Sequence, residues 1–278
     1  MRAAAADLAA ADIDDASLEA EVILRHALGL DRAQLYARLS DEIAPPARSA
    51  IADLLARRLR REPTAYIIGL REFYGIELEV SPAAPIPRPE TELLVDEALA
   101  HARRLEPTYP EPHIADVGTG CGAIALAVAT HLPSARVTAT DVSPDALELA
   151  RRNAARLGLS DRLRFVHGDL LSPLDEAAHI IVANLPYIAS HEWDSLAPEI
   201  RCHEPRAALD GGPDGLRLIE RLLQQAPGHL RPGGALILEI GHDQGAAVAG
   251  LARRAFPGGA VAVRQDLAGL DRVVVVET

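Results

Sequence analysis

Two segments of this chain combine residue types that could do chemistry together: Asp116-Val-Gly-Thr-Gly-Cys-Gly122 and Asn184-Leu-Pro-Tyr187. The second offers a carboxamide, a backbone carbonyl and an aromatic ring where a strand should end. Methylating an amide or aromatic amine is hard, because the nitrogen lone pair is delocalised into the π system. A site helps by accepting hydrogen bonds from both N–H groups, which favours a pyramidal, electron-rich nitrogen. Asn184 Oδ1 and the Leu185 carbonyl can be those acceptors, Pro186 fixes the turn, and Tyr187 gives a flat face to a planar group. Positioning and electrostatics then do most of the work, and no strong base is required. The plain alternative is an ordinary Asn-X-Pro turn.

The first segment suits an adenosine-type cofactor. Gly118, Thr119, Gly120 and Gly122 follow a strand and open a helix, so the backbone can turn sharply and approach a ligand near free N–H donors. Asp141 closes the next strand, where a carboxylate can accept from both ribose hydroxyls. Asp116 could meet the amino group of a methionine moiety, or serve as a loop or helix-dipole partner. Asp169 could accept from an adenine amino group, or be a turn aspartate. The loop alone does not discriminate, since Gly118 to Ala123 also satisfies the looser G-x-G-x-x-A form of nicotinamide sites. Asn184–Tyr187 breaks the tie toward S-adenosylmethionine, with Asn184 counted with both cofactor and substrate.

Those segments need a frame. The chain has 278 residues, 49% hydrophobic and 24% charged, enough for one large domain or a large one plus a small one. Net charge is −12, and every basic residue is an arginine. An acidic chain matches a phosphate backbone poorly, so direct nucleic-acid binding is disfavoured. Without lysine there is no Schiff-base chemistry. No apolar run reaches membrane length, and Asp7, Asp12, Asp14 and Asp15 interrupt the N-terminus, so a cytoplasmic address is expected. Cys121 and Cys202 make neither a disulfide framework nor a metal site, and the histidines show no ligand spacing.

Residues 1–70 read as a small helical domain. Leu18, Val22, Ile23 and Ala27 face one side of a helix over 17–28 that Gly29 stops, and Asp31 caps a short helix. Pro45-Pro46 breaks the chain ahead of a third helix burying Ile51, Leu54, Leu55 and Leu59. Arg57, Arg58, Arg60 and Arg61 form a basic run, either a face with local acidic partners or a docking surface for an acidic partner. Residues 71–85 read as a hairpin and linker. Pro82, Pro85, Pro87 and Pro89 demand a stiff surface loop. Arg88 on that loop, with Pro87, Pro89, Glu90 and Glu92, borders the site as a substrate-binding candidate; the alternatives are a structural salt bridge for Arg88 and helix-dipole stabilisation for Glu90 and Glu92. From residue 86 to 278 strands and helices alternate as in a doubly wound, mostly parallel α/β sheet. The last two strands leave no room for a helix between them and should pair antiparallel. That ending suits the class I methyltransferase plan.

Several motifs tie the chain to a known family: Arg71-Glu-Phe-Tyr74, Ile86-Pro-Arg-Pro-Glu-Thr-Glu92, Asp116–Ala125, Asn184–Ile188, Glu204–Leu209 with Gly215-Leu216, Leu238–Gly241 and Asp266–Arg272. Over nearly its whole length the chain resembles the PrmC/HemK family of release-factor glutamine N5-methyltransferases. The resemblance implies methylation, from S-adenosylmethionine, of the glutamine in the Gly-Gly-Gln motif of class-1 peptide release factors, with the helical domain helping to grip the release factor. The family usually has Asn-Pro-Pro-Tyr; here Leu185 stands at the second position, keeping the carbonyl but losing the restriction on φ. Asn-Leu-Pro-Tyr also resembles the form in rRNA adenine dimethylases. A ribosomal-protein glutamine, an adenine in RNA or DNA, and a cofactor-binding module without turnover are the alternatives at this point.

Overall fold

A computed structural model describes residues 1–278. The chain divides into two compact units: Met1–Leu70 with Leu196–Glu204, and Arg71–Ser195 with Pro205–Thr278.

The first unit holds α1 (Arg2–Ala10), α2 (Ala16–Leu28), α3 (Arg32–Ala37), α4 (Pro45–Leu59) and α5 (Thr64–Ile68). Gly29 ends α2 in the left-handed region, and Asp31 with Gln34 forms a reciprocal capping box on α3. Two expectations need correction. Pro45-Pro46 opens α4 instead of breaking the chain, because the first turn has no use for the missing N–H groups. Leu18 and Leu59 lie exposed, while Leu8, Ala20, Ile23, Leu24, Leu35 and Ile51 make the core. Three of the four arginines of the basic run find acidic partners within their own unit. Arg58 is buried between Glu19 (3.1 Å) and Glu199 (3.0 Å), Arg61 reaches Glu199 (3.2 Å), and Arg57 Nε reaches Glu62 (2.8 Å). Local acidic partners account for Arg57, Arg58 and Arg61, and Arg60 stays exposed.

The second unit begins at Arg71, inside β1 (Leu70–Phe73), which pairs with β2 (Ile76–Glu79) as a hairpin. The proline loop that follows is less superficial than its composition suggests, since Ala84, Ile86 and Pro87 are buried. Prolines carry no N–H, so burying such a segment strands few donors. Next come α6 (Glu92–Leu105), β3 (His113–Val117), α7 (Ala123–His131), β4 (Arg136–Asp141), α8 (Pro144–Arg156), β5 (Leu163–His167) and β6 (Ala178–Ala183). The remainder is β7 (Ile188–Ala189), α9 (Pro198–His203, in the first unit), β8 (Asp210–Gly212), α10 (Arg217–Gln225), β9 (Leu230–Glu239), α11 (Gly245–Ala255), β10 (Ala260–Gln265) and β11 (Asp271–Glu277).

Seven strands form the main sheet in the order β10-β11-β9-β6-β3-β4-β5. β9 to β5 run parallel, and β11 is antiparallel to both β9 and β10, the hairpin ending of a class I methyltransferase fold. β3 and β6 are buried along their whole length, with apolar clusters on both faces of the sheet. The strand order reverses between β3 and β6. In register, Val117 lies beside Ala183 and Ala183 beside Leu238. The glycine loop after β3, Asn184 after β6 and Glu239 closing β9 therefore meet at one carboxyl edge, where open α/β sheets bind ligands. No helix is long and apolar enough to cross a membrane.

Candidate functional site

At that edge lies a cleft of ≈ 220 Å³. Gly118, Gly120, Asp141, Asp169, Asn184, Leu185 and Pro186 all line it, so the sheet brings together most of the residues singled out in the sequence. Gly118 and Thr119 donate their backbone N–H groups to the Thr140 carbonyl (2.9 and 3.0 Å), which bends the loop over the end of β4. Gly118 has φ +75°, and a Cβ there would lie 3.0 Å from Leu185 Cδ2. Leu185 is buried at 4% exposure and packs directly on the glycine loop. The leucine that replaces the family's proline thus ties the two chemical segments together.

Asp116 sits beneath the loop, not on the cleft wall. Its Oδ2 accepts from the Thr119 hydroxyl (2.6 Å) and from the Ala125 N–H (3.1 Å). Oδ1 is buried without a hydrogen-bond partner. Burial pushes this carboxyl up to about 7, against the pull of those two bonds. An orphaned buried oxygen on a carboxylate fits a cationic donor such as the ammonium of a methionine moiety.

Asp141 holds the loop from the other side, accepting from Gly120 N–H (2.9 Å) and Ser143 N–H (2.8 Å). Burial raises its pKa. The Val142 N–H also points at this carboxylate, and the acceptor capacity left over fits a hydroxyl donor. Asp169 lines the cleft but is also ion-paired with Arg221. Val142, exposed at 68%, and Leu170 add apolar wall that a planar base would cover. Orphaned Asp116 oxygen, the remaining acceptor capacity of Asp141 and apolar wall together fit S-adenosylmethionine. Gly122 lies under the helix start, and Cys121 is buried with its thiol pushed up to about 12 by burial, a filler and not a nucleophile.

The substrate side is built on Asn184. Its Nδ2 donates to Thr91 Oγ1 (3.1 Å). The Glu239 carboxyl is buried nearby; its Oε1 accepts from Tyr187 Oη (3.2 Å), and its Oε2 is buried without a hydrogen-bond partner. Burial raises the Glu239 pKa, and burial followed by the charge of Glu239 raises that of Tyr187. The Tyr187 carbonyl accepts from Gln244 Nε2 (2.9 Å), and Gly215 passes so close that a Cβ would collide with it. Trp193 stacks against Arg206 (4.8 Å) instead of lining the cleft.

The proline-loop candidates scatter. Pro87 is buried, and the charge of Arg88 reaches Tyr187. Glu92 accepts from Tyr74 N–H (3.0 Å), bracing the hairpin. Pro89, Glu90 and Glu92 border a second, acidic depression of ≈ 400 Å³ shared with Asp96, Asp266 and Leu267. Reading the sequence named both neighbours of Thr91 and missed Thr91 itself. It also missed Glu239, although a lone carboxylate in the apolar run Ala235–Ile240 was a signal. Val142 carried none.

A family model described as the PrmC N-terminal domain matches residues 1–69, and one described as the methyltransferase small domain matches residues 91–213. The release factor glutamine methyltransferase of Moorella thermoacetica is 47% identical over 266 residues, spanning 95% of this chain and 92% of its own. That of Cereibacter sphaeroides is 44% identical over 274 residues, spanning 99% and 95%. Among solved structures, the hMettl16 catalytic domain in complex with a MAT2A 3′UTR hairpin superposes with a TM-score of 0.56 at 16% identity, covering 81% of each chain. A Pyrococcus furiosus methyltransferase gives 0.51 at 19%, covering 81% of this chain and 98% of its own. At such identities the structural likeness concerns the fold alone. Identity of 44–47% along almost the full length of two relatives is another matter, and on it this chain belongs to the release factor glutamine methyltransferase family.

Proposed function

We propose that the chain methylates the side-chain amide N5 of the glutamine in the Gly-Gly-Gln motif of class-1 release factors. The observation that carries this is the Asn184 carboxamide at the carboxyl edge of β6, next to the cofactor cleft and followed by Leu185 and Pro186 on the same wall. S-adenosylmethionine supplies an electrophilic methyl group on a sulfonium. Asp116, the glycine loop, Asp141 and Asp169 hold it. Asn184 Oδ1 and the Leu185 carbonyl accept the two N–H groups of the glutamine amide and turn its nitrogen toward the methyl. With the cofactor bound, the amide nitrogen would take the methyl as the sulfonium C–S bond broke, and would then lose one proton to solvent. In this reading residues 1–70 are the docking domain, 71–85 the connector and 86–278 the catalytic domain. Incubation with methyl-labelled cofactor and an unmodified release factor, followed by peptide mass spectrometry, tests it. Label on the Gly-Gly-Gln glutamine is expected; label elsewhere, or none, sinks it.

Cofactor affinity should depend on pH through Asp116. Its carboxyl is raised from 3.8 to about 7, so in the unliganded protein its stability contribution is full below 3.8 and lost as pH rises through about 7. The ionised form is the one that attracts an ammonium. Affinity, measured calorimetrically, should therefore fall as pH drops from 8 to 6, and Asp116→Asn should flatten that dependence.

Leu267 is fully exposed on a turn that is nonetheless held firmly. The Asp266 carboxylate accepts from Ala268 N–H (2.9 Å) and Leu270 N–H (3.1 Å), and Arg272 pairs with Asp266 at 3.2 Å. A rigid, exposed leucine beside Glu90 suits contact with the protein substrate. Burying one leucine on binding is worth roughly 1.5–3 kcal/mol. Leu267→Ser should raise the KM for the release factor about tenfold or more, with cofactor affinity unchanged. Unaltered KM would remove Leu267 from the interface.

A further inference from the structure

We infer that the carboxyl end of β9 clamps Tyr187 at both ends, Glu239 holding its hydroxyl and Gln244 its carbonyl, so that the ring stands in place before the substrate binds. This deepens the function proposed above and rests on its reading of Tyr187 as the flat face on which the glutamine amide packs.

An aromatic side chain is a rigid plate on two rotatable bonds, and a plate held at one end only still swings. The far end of Tyr187 is held by its hydroxyl, which donates to Glu239 Oε1 at 3.2 Å. Glu239 is 1% exposed, and that oxygen accepts whether or not Oε2, which has no partner, carries a proton. The near end is held through the main chain. The Tyr187 carbonyl accepts from Gln244 Nε2 at 2.9 Å, and the Ile188 N–H donates to the Leu209 carbonyl at 3.0 Å. Both sides of one peptide unit are therefore tied.

A carboxamide can hold a carbonyl only with its NH₂ end, and the surroundings of Gln244 select that end. Its Oε1 accepts from Gly241 N–H at 2.9 Å, while its backbone N–H donates to the Gly241 carbonyl, also at 2.9 Å. Bonded to Gly241 in both directions, the side chain commits its oxygen to the end of β9 and leaves its nitrogen for Tyr187. Gly241 follows closely on Glu239, so the short stretch 239–244 supplies both jaws. Glycines keep the grip close. A Cβ on Gly215 would strike the Tyr187 carbonyl oxygen and lie 2.6 Å from Gln244 Nε2, and one on Gly211 would lie 2.5 Å from the Pro186 carbonyl oxygen. Only glycine lets the 211–215 backbone press against this bond. Gln244 and Glu239 touch no reacting atom; they are positioning residues.

The test uses the full chain with an unmodified release factor and methyl-labelled cofactor, over incubations long enough to read slow variants. Gln244→Glu keeps the shape and the acceptor for Gly241 N–H but sets an oxygen against the Tyr187 carbonyl. Gln244→Met keeps the length and removes both side-chain bonds. At neutral pH each should lower kcat about 10- to 100-fold, with KM for the release factor and cofactor affinity within about threefold. Added to Tyr187→Ala, neither should slow the reaction more than about twofold further, because residues acting through one ring are not additive. Parental kcat in either Gln244 variant overturns the clamp. So does a full additional loss in the Tyr187→Ala background, which would place the effect of Gln244 elsewhere, and so does a fall in cofactor affinity that matches the fall in kcat. Gln244→Ala and Tyr187→Leu replace any variant that does not fold, under the same criteria. Asn184→Ala is run alongside. If it abolishes turnover while the Gln244 variants do not slow, the clamp fails and the function stands. If Tyr187→Ala keeps the parental kcat, the reading of Tyr187 itself fails.

Discussion

Asn184→Ala should lower the rate of glutamine methylation about 10²- to 10³-fold, the range found when one preorganised hydrogen-bonding group is removed from a site of developing charge. Three features make the loss large. Asn184 is held by a part-buried bond to Thr91 at 3.1 Å, so it is positioned before the substrate arrives. Its position at the end of β6 is set by a strand buried on both faces, so no neighbouring side chain can slide in to replace it. Alanine leaves the Thr91 oxygen facing a void, which adds an unsatisfied buried acceptor to the missing contact. Cofactor affinity should change far less, since the glycine loop, Asp116 and Asp141 are untouched. Asn184→Asp should not rescue the rate. The change removes the Nδ2 donor that now bonds Thr91 Oγ1 and sets a negative charge where a neutral acceptor stood. Single-turnover kinetics with saturating cofactor measures this directly, and a loss smaller than about tenfold would place the essential acceptor elsewhere.

Asp141→Ala should weaken cofactor binding by about 10²-fold or more. Hydrogen bonds to a charged group contribute about 1.5–3 kcal/mol each, and the ribose hydroxyl contact is at stake. The substitution also frees the Gly120 and Ser143 N–H groups that the carboxylate now holds at 2.9 and 2.8 Å. The loop would lose the tether that keeps its backbone at the cleft. Asp141→Asn should be milder, because an amide oxygen can keep one tether and one hydroxyl. Calorimetric titration with cofactor ranks the three proteins. Near-parental affinity in the alanine variant would mean that the ribose is bound by other groups.

The parts of the site that the sequence made readable are those written in local backbone rules. A glycine run after an apolar strand has few meanings, and an aspartate closing the next strand narrows them. Asn184-Leu-Pro-Tyr187 could be placed because β6 is uninterruptedly apolar. The alternation of elements foretold the parallel sheet, and the short C-terminal gap foretold the β10–β11 pair. Thr91 and Glu239 were not readable, because their roles arise from a contact across 93 residues and from strand register. Composition misled at the proline loop, where prolines were taken as a sign of exposure although their missing N–H groups also make burial cheap. Helical periodicity misplaced Leu18 and Leu59, because it locates a face without saying how far the neighbouring helices cover it. Nothing local marks 196–204 as part of the helical unit.

That last segment bears on how the protein can be taken apart. The helical unit enters the chain at two places, since Leu196–Glu204 departs from the catalytic sequence after Ser195 and returns at Pro205. Glu199 carries the buried Arg58 and also Arg61, and His203 bonds the Arg60 carbonyl at 3.2 Å. A cut after Leu70 would therefore leave a nine-residue orphan in the middle of the enzyme and a stranded guanidinium in the fragment. Anyone exchanging the helical unit between such enzymes has to transplant a discontinuous part, with two sutures instead of one. For the same reason, substitutions in the first helices and in 196–204 should drift together during evolution, as the halves of one lock.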